Sequence, residues 1–127
     1  MKEQLISFKT AKLAKEKGFD VSVDRYYDFI GDTCSNMGMI NFNVSKSELY
    51  SAPTQSLLQK WLRENHTIHC VSIPTYQYEN KPSWFYYVQN LESGCAIITQ
   101  GSNPMDDYYN ALELGLQKTL EYLNNHQ

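Results

Sequence analysis

The chain has 127 residues and a net charge of −3, with 42% hydrophobic, 20% charged and 13% aromatic residues. That length suits a single domain spanning 1–127, able to bury a core without help from disulfides or metals. The acidic balance excludes a general field for a phosphate backbone, and ten tyrosines argue against disorder. No apolar run approaches the roughly 20 residues of a membrane span, and Met1–Ser7 does not read as a secretory leader. Three cysteines, Cys34, Cys70 and Cys95, are expected as free thiols in a reducing cytoplasm.

The first helix is expected to begin at Ser7, whose hydroxyl can cap a first-turn N–H. Ile6 and Ala11 stand in the positions of a hydrophobic staple. Ile6, Thr10, Leu13 and Ala14 make the inner face, and Gly18 supplies a left-handed stop. From Phe19 the pattern turns to β-formers. Val21, Val23, Tyr26, Tyr27, Phe29 and Ile30 form one run, and Met39, Ile40, Phe42 and Val44 another. The turn formers Gly31–Gly38 between them predict a hairpin with a long loop.

A second helix is predicted over residues 53–65, with Pro53 in its first turn. Leu57, Leu58, Trp61 and Leu62 make its apolar stripe. Gln55, Gln59, Lys60, Arg63 and Glu64 fall on the polar side. Three strands follow, over Thr67–Tyr78, Trp84–Val88 and Cys95–Thr99. Their short connections make them antiparallel neighbours in a meander. Both faces of the middle strand are aromatic or aliphatic, which predicts that both are covered. The last helix is expected from Asp106 or Asp107, with Tyr109, Leu112, Leu116, Leu120 and Leu123 on one stripe. Gly115 in its middle costs roughly 1 kcal/mol relative to Ala, so close approach of another backbone is expected there. Grouped strands between helices indicate the α+β class, with the helices packed on one face of the sheet.

Few residues form a pattern that carries chemistry. His66, His69 and Cys70 are close in sequence, but His69 and Cys70 on a strand point to opposite faces. They do not form a tetrahedral zinc set. Cys34 is the cysteine flanked by loop-forming residues, with His66, His69 and His126 as bases at unconstrained distance. An unreactive loop thiol accounts for it. Asp20, Asp24, Asp28 and Asp32 recur every four residues, which a solvated hairpin face explains. No catalytic residue, metal site or cofactor is expected.

The unusual feature is aromatic. Tyr76, Tyr78, Trp84, Tyr86 and Tyr87 exceed the needs of a small core, and tyrosine suits interfaces because it joins apolar area to a polar tip. With Gln59 and Arg63 they make the expected surface for a protein partner or small ligand, and the same surface suits a homodimer. The alternative is nucleic-acid binding by the polar face of helix 53–65, through Lys60 and Arg63.

The segments Ile6–Phe19, Tyr50–Glu64 and Ala111–Leu116 carry a resemblance that spans most of the chain. The block Ala52-Pro53-Thr54-Gln55-Ser56-Leu57-Leu58-Gln59-Lys60-Trp61-Leu62-Arg63 is its most specific part. Together they resemble a family of short hypothetical proteins of phages and prophages from Bacteroides-type bacteria. That family brings no activity and no site residues to transfer. The segment around Cys34 is longer here than in the family's pattern. The resemblance implies a mobile-element accessory protein, non-enzymatic, acting in a bacterial cytoplasm.

Overall fold

The first helix forms where its cap is placed. Ser7 Oγ accepts the Thr10 N–H at 3.3 Å, α1 runs Phe8–Glu16, and Gly18 at φ +88° follows it. A cap of this kind contributes about 1 kcal/mol. Ile6, Ala11 and Ala14 are fully buried on its inner side. The structure, a computed structural model, describes residues 4–44, 48–75, 83–99 and 105–126.

The hairpin is present, but its turn lies earlier than the sequence predicts. Strand β1 (Val23–Tyr27) pairs antiparallel with β2 (Thr33–Ile40). Phe29 and Ile30, expected in the first strand, are exposed in the turn, and much of the expected loop is β2 itself. The cause is Asp28. Its Oδ1 accepts the N–H groups of both Ile30 and Asp32 at 3.0 Å, while Gly31 takes φ +92°. An aspartate that captures backbone donors two residues on nucleates a turn wherever a glycine permits the left-handed step. The polar residues after it then pair with β1 as Tyr27↔Thr33, Tyr26↔Cys34 and Arg25↔Ser35.

The register next jumps from Arg25↔Ser35 to Val23↔Ile40, so Asn36–Met39 bulge from the ladder. The Asn36 amide closes this bulge by donating to the Gly38 carbonyl at 2.9 Å. Phe42 and Val44, expected in a strand, belong to a short 3-10 turn, Phe42–Val44. A two-residue strand that periodicity does not reveal, β3 (Tyr50–Ser51), pairs with the other side of β1. The first sheet therefore has the order β2-β1-β3.

Helix α2 runs Gln55–His66. Its cap is Thr54, whose Oγ1 accepts the Leu57 N–H at 3.2 Å. Pro53 consequently precedes the cap instead of opening the first turn, and its carbonyl accepts the Ile6 N–H at 3.0 Å. Thr67, left-handed at φ 53°, ends the helix. The meander follows as β4 (Ile68–Thr75), β5 (Ser83–Asn90) and β6 (Ala96–Thr99), antiparallel and in sequence order. Pro74 lies on β4, an edge strand, where a missing N–H is tolerated. Helix α3 runs Tyr108–His126, and Asp107 Oδ1 accepts the Tyr109 N–H before it.

The class is α+β, with three helices and two three-stranded antiparallel sheets. Having two sheets changes the expected layering. Helix α3 packs on β4 and β5, while α1 packs on α3 and β3, and α2 packs on β4. One core cluster joins both sheets, through Ile6, Phe19, Leu58, Trp61, Val88 and Leu116 among others. Gly115 is the point of closest approach. A Cβ there would lie 2.6 Å from Tyr86 Cβ and 2.8 Å from Cys70 Sγ. The neighbours are side-chain atoms of the sheet, in place of the backbone the sequence suggests.

Candidate functional site

The expected aromatic surface is divided by the pleat of β5. Trp84 and Tyr86 share the face that meets α3. Tyr86 is buried there, and Trp84 sets its ring edge-on to Tyr108 at 5.1 Å. Tyr87 lies on the opposite face with Phe85, paired across to Val71 and Ile73. That face stands outside the core cluster, and Ile73 is 40% exposed. Among the described residues only the α3 side of this strand is packed into the core, and Val71, Phe85 and Tyr87 on the other face are half-buried. Tyr76 and Tyr78 lie outside the described residues.

Two residues expected on the polar face of α2 are engaged internally. Gln59 Nε2 donates to the Cys70 carbonyl at 2.7 Å and so ties α2 to the edge strand β4. Gln55 is 3% exposed, and its Nε2 donates to the Tyr109 carbonyl at 3.0 Å and to Glu113 at 2.9 Å. Glu113 on α3 collects further donors. Its carboxylate accepts the Ser7 N–H at 2.9 Å and the Thr10 hydroxyl. Donors from the first turns of α1 and α2 thus converge on one anion, which suits the positive ends of both helices. Nearby, the Tyr27 hydroxyl donates to the Ile6 carbonyl at 2.5 Å. Burial, followed by the Glu113 charge, raises the Tyr27 phenol above its ordinary pKa. The cluster is a lock between three helices: its donors are directed at the Glu113 carboxylate and at the backbone, while Gln55 Oε1 is buried without a partner among the described residues.

The cysteines and histidines do not assemble. Cys70 is buried beneath α3, and burial pushes its thiol up to about 12. Cys34 sits beside the Tyr26 phenol, which it raises, and its thiol points to the Asp32 carbonyl at 3.7 Å. Burial lowers the imidazoles of His66 and His69, and Arg63 lowers His69 further. No group of three or more His, Cys, Asp or Glu able to hold a metal occurs among the described residues. The four regularly spaced aspartates also separate. Asp28 and Asp32 belong to the turn, whereas Asp24 lies on β1.

Asp24 belongs to a constellation that faces open space with mixed chemistry. A cleft of about 490 Å³ lies between α2 and the first sheet. Its deep wall is apolar, made by Val23, Ala52 and Pro53, all buried, with half-buried Leu5 and Leu57. The bulge of β2 brings Met39 to its rim, 63% exposed. Thr54, Ser56, Lys60 and Arg63 line the helix side, and Asp24 lies on the strand side. Bridge pairing of Leu5 with Thr54 and the bond from Ala52 N–H to the Arg25 carbonyl at 3.0 Å hold the walls together. The volume falls within the range of small-ligand sites, roughly 300–1,000 Å³, and an apolar pocket with a few polar groups is their usual make-up.

Of the expected site residues, Arg63 lines this cleft. Leu57, read as core, lines it too, and it also packs partly against the core. The sequence spacing of Lys60 and Arg63 signals their common helix face. Nothing local signals Leu5, Val23 and Ala52 as their neighbours. No helix among the described residues is long and apolar enough to cross a membrane. No protein-family model, no curated protein and no solved structure matches the chain.

Proposed function

We propose that the protein is a non-enzymatic binding domain whose site is the cleft between α2 and the first sheet. One observation carries this reading. The cleft joins an apolar wall to unburied charged groups, whereas the other prominent polar cluster, around Glu113, is closed by internal hydrogen bonds. Exposed Met39 on its rim adds a flexible, polarizable apolar edge of the kind used by adaptable binding surfaces. The resemblance to phage and prophage proteins adds the context of an accessory protein in a bacterial cytoplasm. The nucleic-acid alternative loses support because Gln55 and Gln59, two side chains of the polar face it relies on, donate inside the fold.

The test is a titration of the labelled protein with octanol, a neutral apolar probe, followed by amide chemical shifts. Shifts at Val23, Ala52 and Leu57 that saturate, and that vanish in Leu57→Glu, are expected. Saturable shifts confined to Ile73, Phe85 and Tyr87 would instead move the site to the face of the second sheet opposite α3.

A further inference from the structure

The charges around the cleft specify more than an apolar occupant. Lys60 and Arg63 stand one helical turn apart on α2 and line the same space. The only ion pair that Lys60 makes among the described residues is with Glu64 at 3.9 Å, both side chains being about 60% exposed. Such an exposed pair is weak and yields readily to a better anion. Arg63 has no carboxylate partner among the described residues. Its guanidinium can bind a carboxylate through two parallel N–H donors. Opposite them stands Asp24, exposed and also without an ion pair among the described residues. The lining therefore carries two cations and one anion, which leaves one positive charge in excess.

We infer that the ligand of this cleft is an amphipathic monoanion: one carboxylate held by Arg63 and Lys60, with an apolar body laid against Leu5, Val23 and Leu57. Asp24 disfavours a doubly charged head such as a phosphate monoester, because a second negative charge has no remaining cation to face. It also leaves an acceptor for one donor group on the ligand. This inference rests on the cleft being the binding site, and its test separates the two.

Octanoate, octanol, octylammonium and octyl phosphate are titrated separately, below their aggregation limits, with amide shifts read at Val23, Leu57, Lys60 and Arg63. Octanoate is expected to bind at least fivefold more tightly than octanol, and octylammonium most weakly. The preference for octanoate over octanol should disappear in Lys60→Gln/Arg63→Gln, and shrink at about 0.5 M salt, where charges reach only a few ångströms. Both side chains project from the helix surface, so the variant keeps the fold, and the ligand series on the native protein is independent of it. Equal binding of octanoate and octanol at the cleft overturns the inference and leaves the cleft as the site. Tighter binding of octyl phosphate than octanoate overturns the choice of a monoanion. Absence of saturable shifts at the cleft with every probe overturns the site itself, and the inference with it.

Discussion

The sheet β4–β6 presents Ile68, Cys70, Tyr86 and Val88 to α3, and all four are buried. The sheet β2-β1-β3 has as many strands, yet its long edge strand contributes no buried residue. Met37 is fully exposed, and Ile40 is 46% exposed. The two sheets thus divide the work of the molecule. The second is a wall of the core, clamped by a helix so close that glycine is required at the contact. The first reaches the core through Val23 and Tyr27, buries Ser51 on β3, and holds its edge strand β2 out to solvent, where Met39 shapes one side of the cleft. An uncharged edge strand is normally a hazard for edge-to-edge pairing, and the four-residue bulge at Asn36–Met39 interrupts the ladder that another strand would extend.

The largest blow to this arrangement falls where both sheets share the core. Trp61 is 5% exposed and meets Phe19, which leads into β1, at a ring separation of 5.4 Å, and His66 at 4.9 Å. Trp61→Ala is expected to cost roughly 3–5 kcal/mol in denaturant melts, the range for deleting a buried aromatic. A loss under 1 kcal/mol would overturn the assignment of this stripe to the core.

A smaller change separates the two sheets directly. In Gly115→Ala the new Cβ gains about 1 kcal/mol of helix propensity. It also collides with Tyr86 Cβ, an atom fixed to the backbone of β5. Overpacking of this kind costs about 1–3 kcal/mol or more, and a 2.6 Å approach to a backbone-anchored atom belongs at the upper end, so after the gain in propensity a net loss of about 2 kcal/mol is expected. Gly38, in the bulge of β2, has nothing within 4 Å of where a methyl group would stand and no positive φ. Gly38→Ala should stay within about 0.5 kcal/mol of the native protein, as surface changes do. Equal losses in the two variants would erase the distinction between a clamped sheet and an open one.

Much of the clamped region is legible in the sequence. Leu112, Leu116, Leu120 and Leu123 repeat at helical spacing, and all four are buried. Ser7 and Gly18 bound α1 because caps and left-handed stops act over three or four residues. Gly115 stands out because a helix interior gives glycine no local reason to be there. The open region is harder to read. Turn formers dominate Thr33–Gly38, but composition does not reveal that Asp28 will capture two backbone donors and close the turn early. A strand of two residues, β3, has no period. Gln55 reads as a surface residue because its partner Glu113 lies 58 positions away. The cleft shows the same division: Lys60 and Arg63 are visible as neighbours on a helix, and the wall they face is assembled from Leu5, Val23 and Ala52 by tertiary contact.

The smallest expected effect comes from the junction of α2 with the clamped sheet. His66 and His69 flank the left-handed Thr67, and burial lowers both imidazoles from 6.5. His69 Nδ1 has no hydrogen-bond partner among the described residues, so a proton added there would be an unmet donor. The unfolded chain consequently binds these protons more readily than the folded one. Their contribution is fully present above the unfolded pKa of 6.5 and is lost as pH falls toward the lower folded values. The melting temperature should therefore drop from pH 7.5 to pH 5 by more in the native protein than in His66→Gln/His69→Gln. Hydrogen exchange sharpens where the loss begins. Acid should raise exchange at Ile68–Val71, on the edge strand beside α2, before it does so at Val23–Tyr27, because the first sheet contains no histidine. Simultaneous loosening of both strands would mean that the clamped sheet and the open one melt as a single unit, and that their difference is one of packing alone.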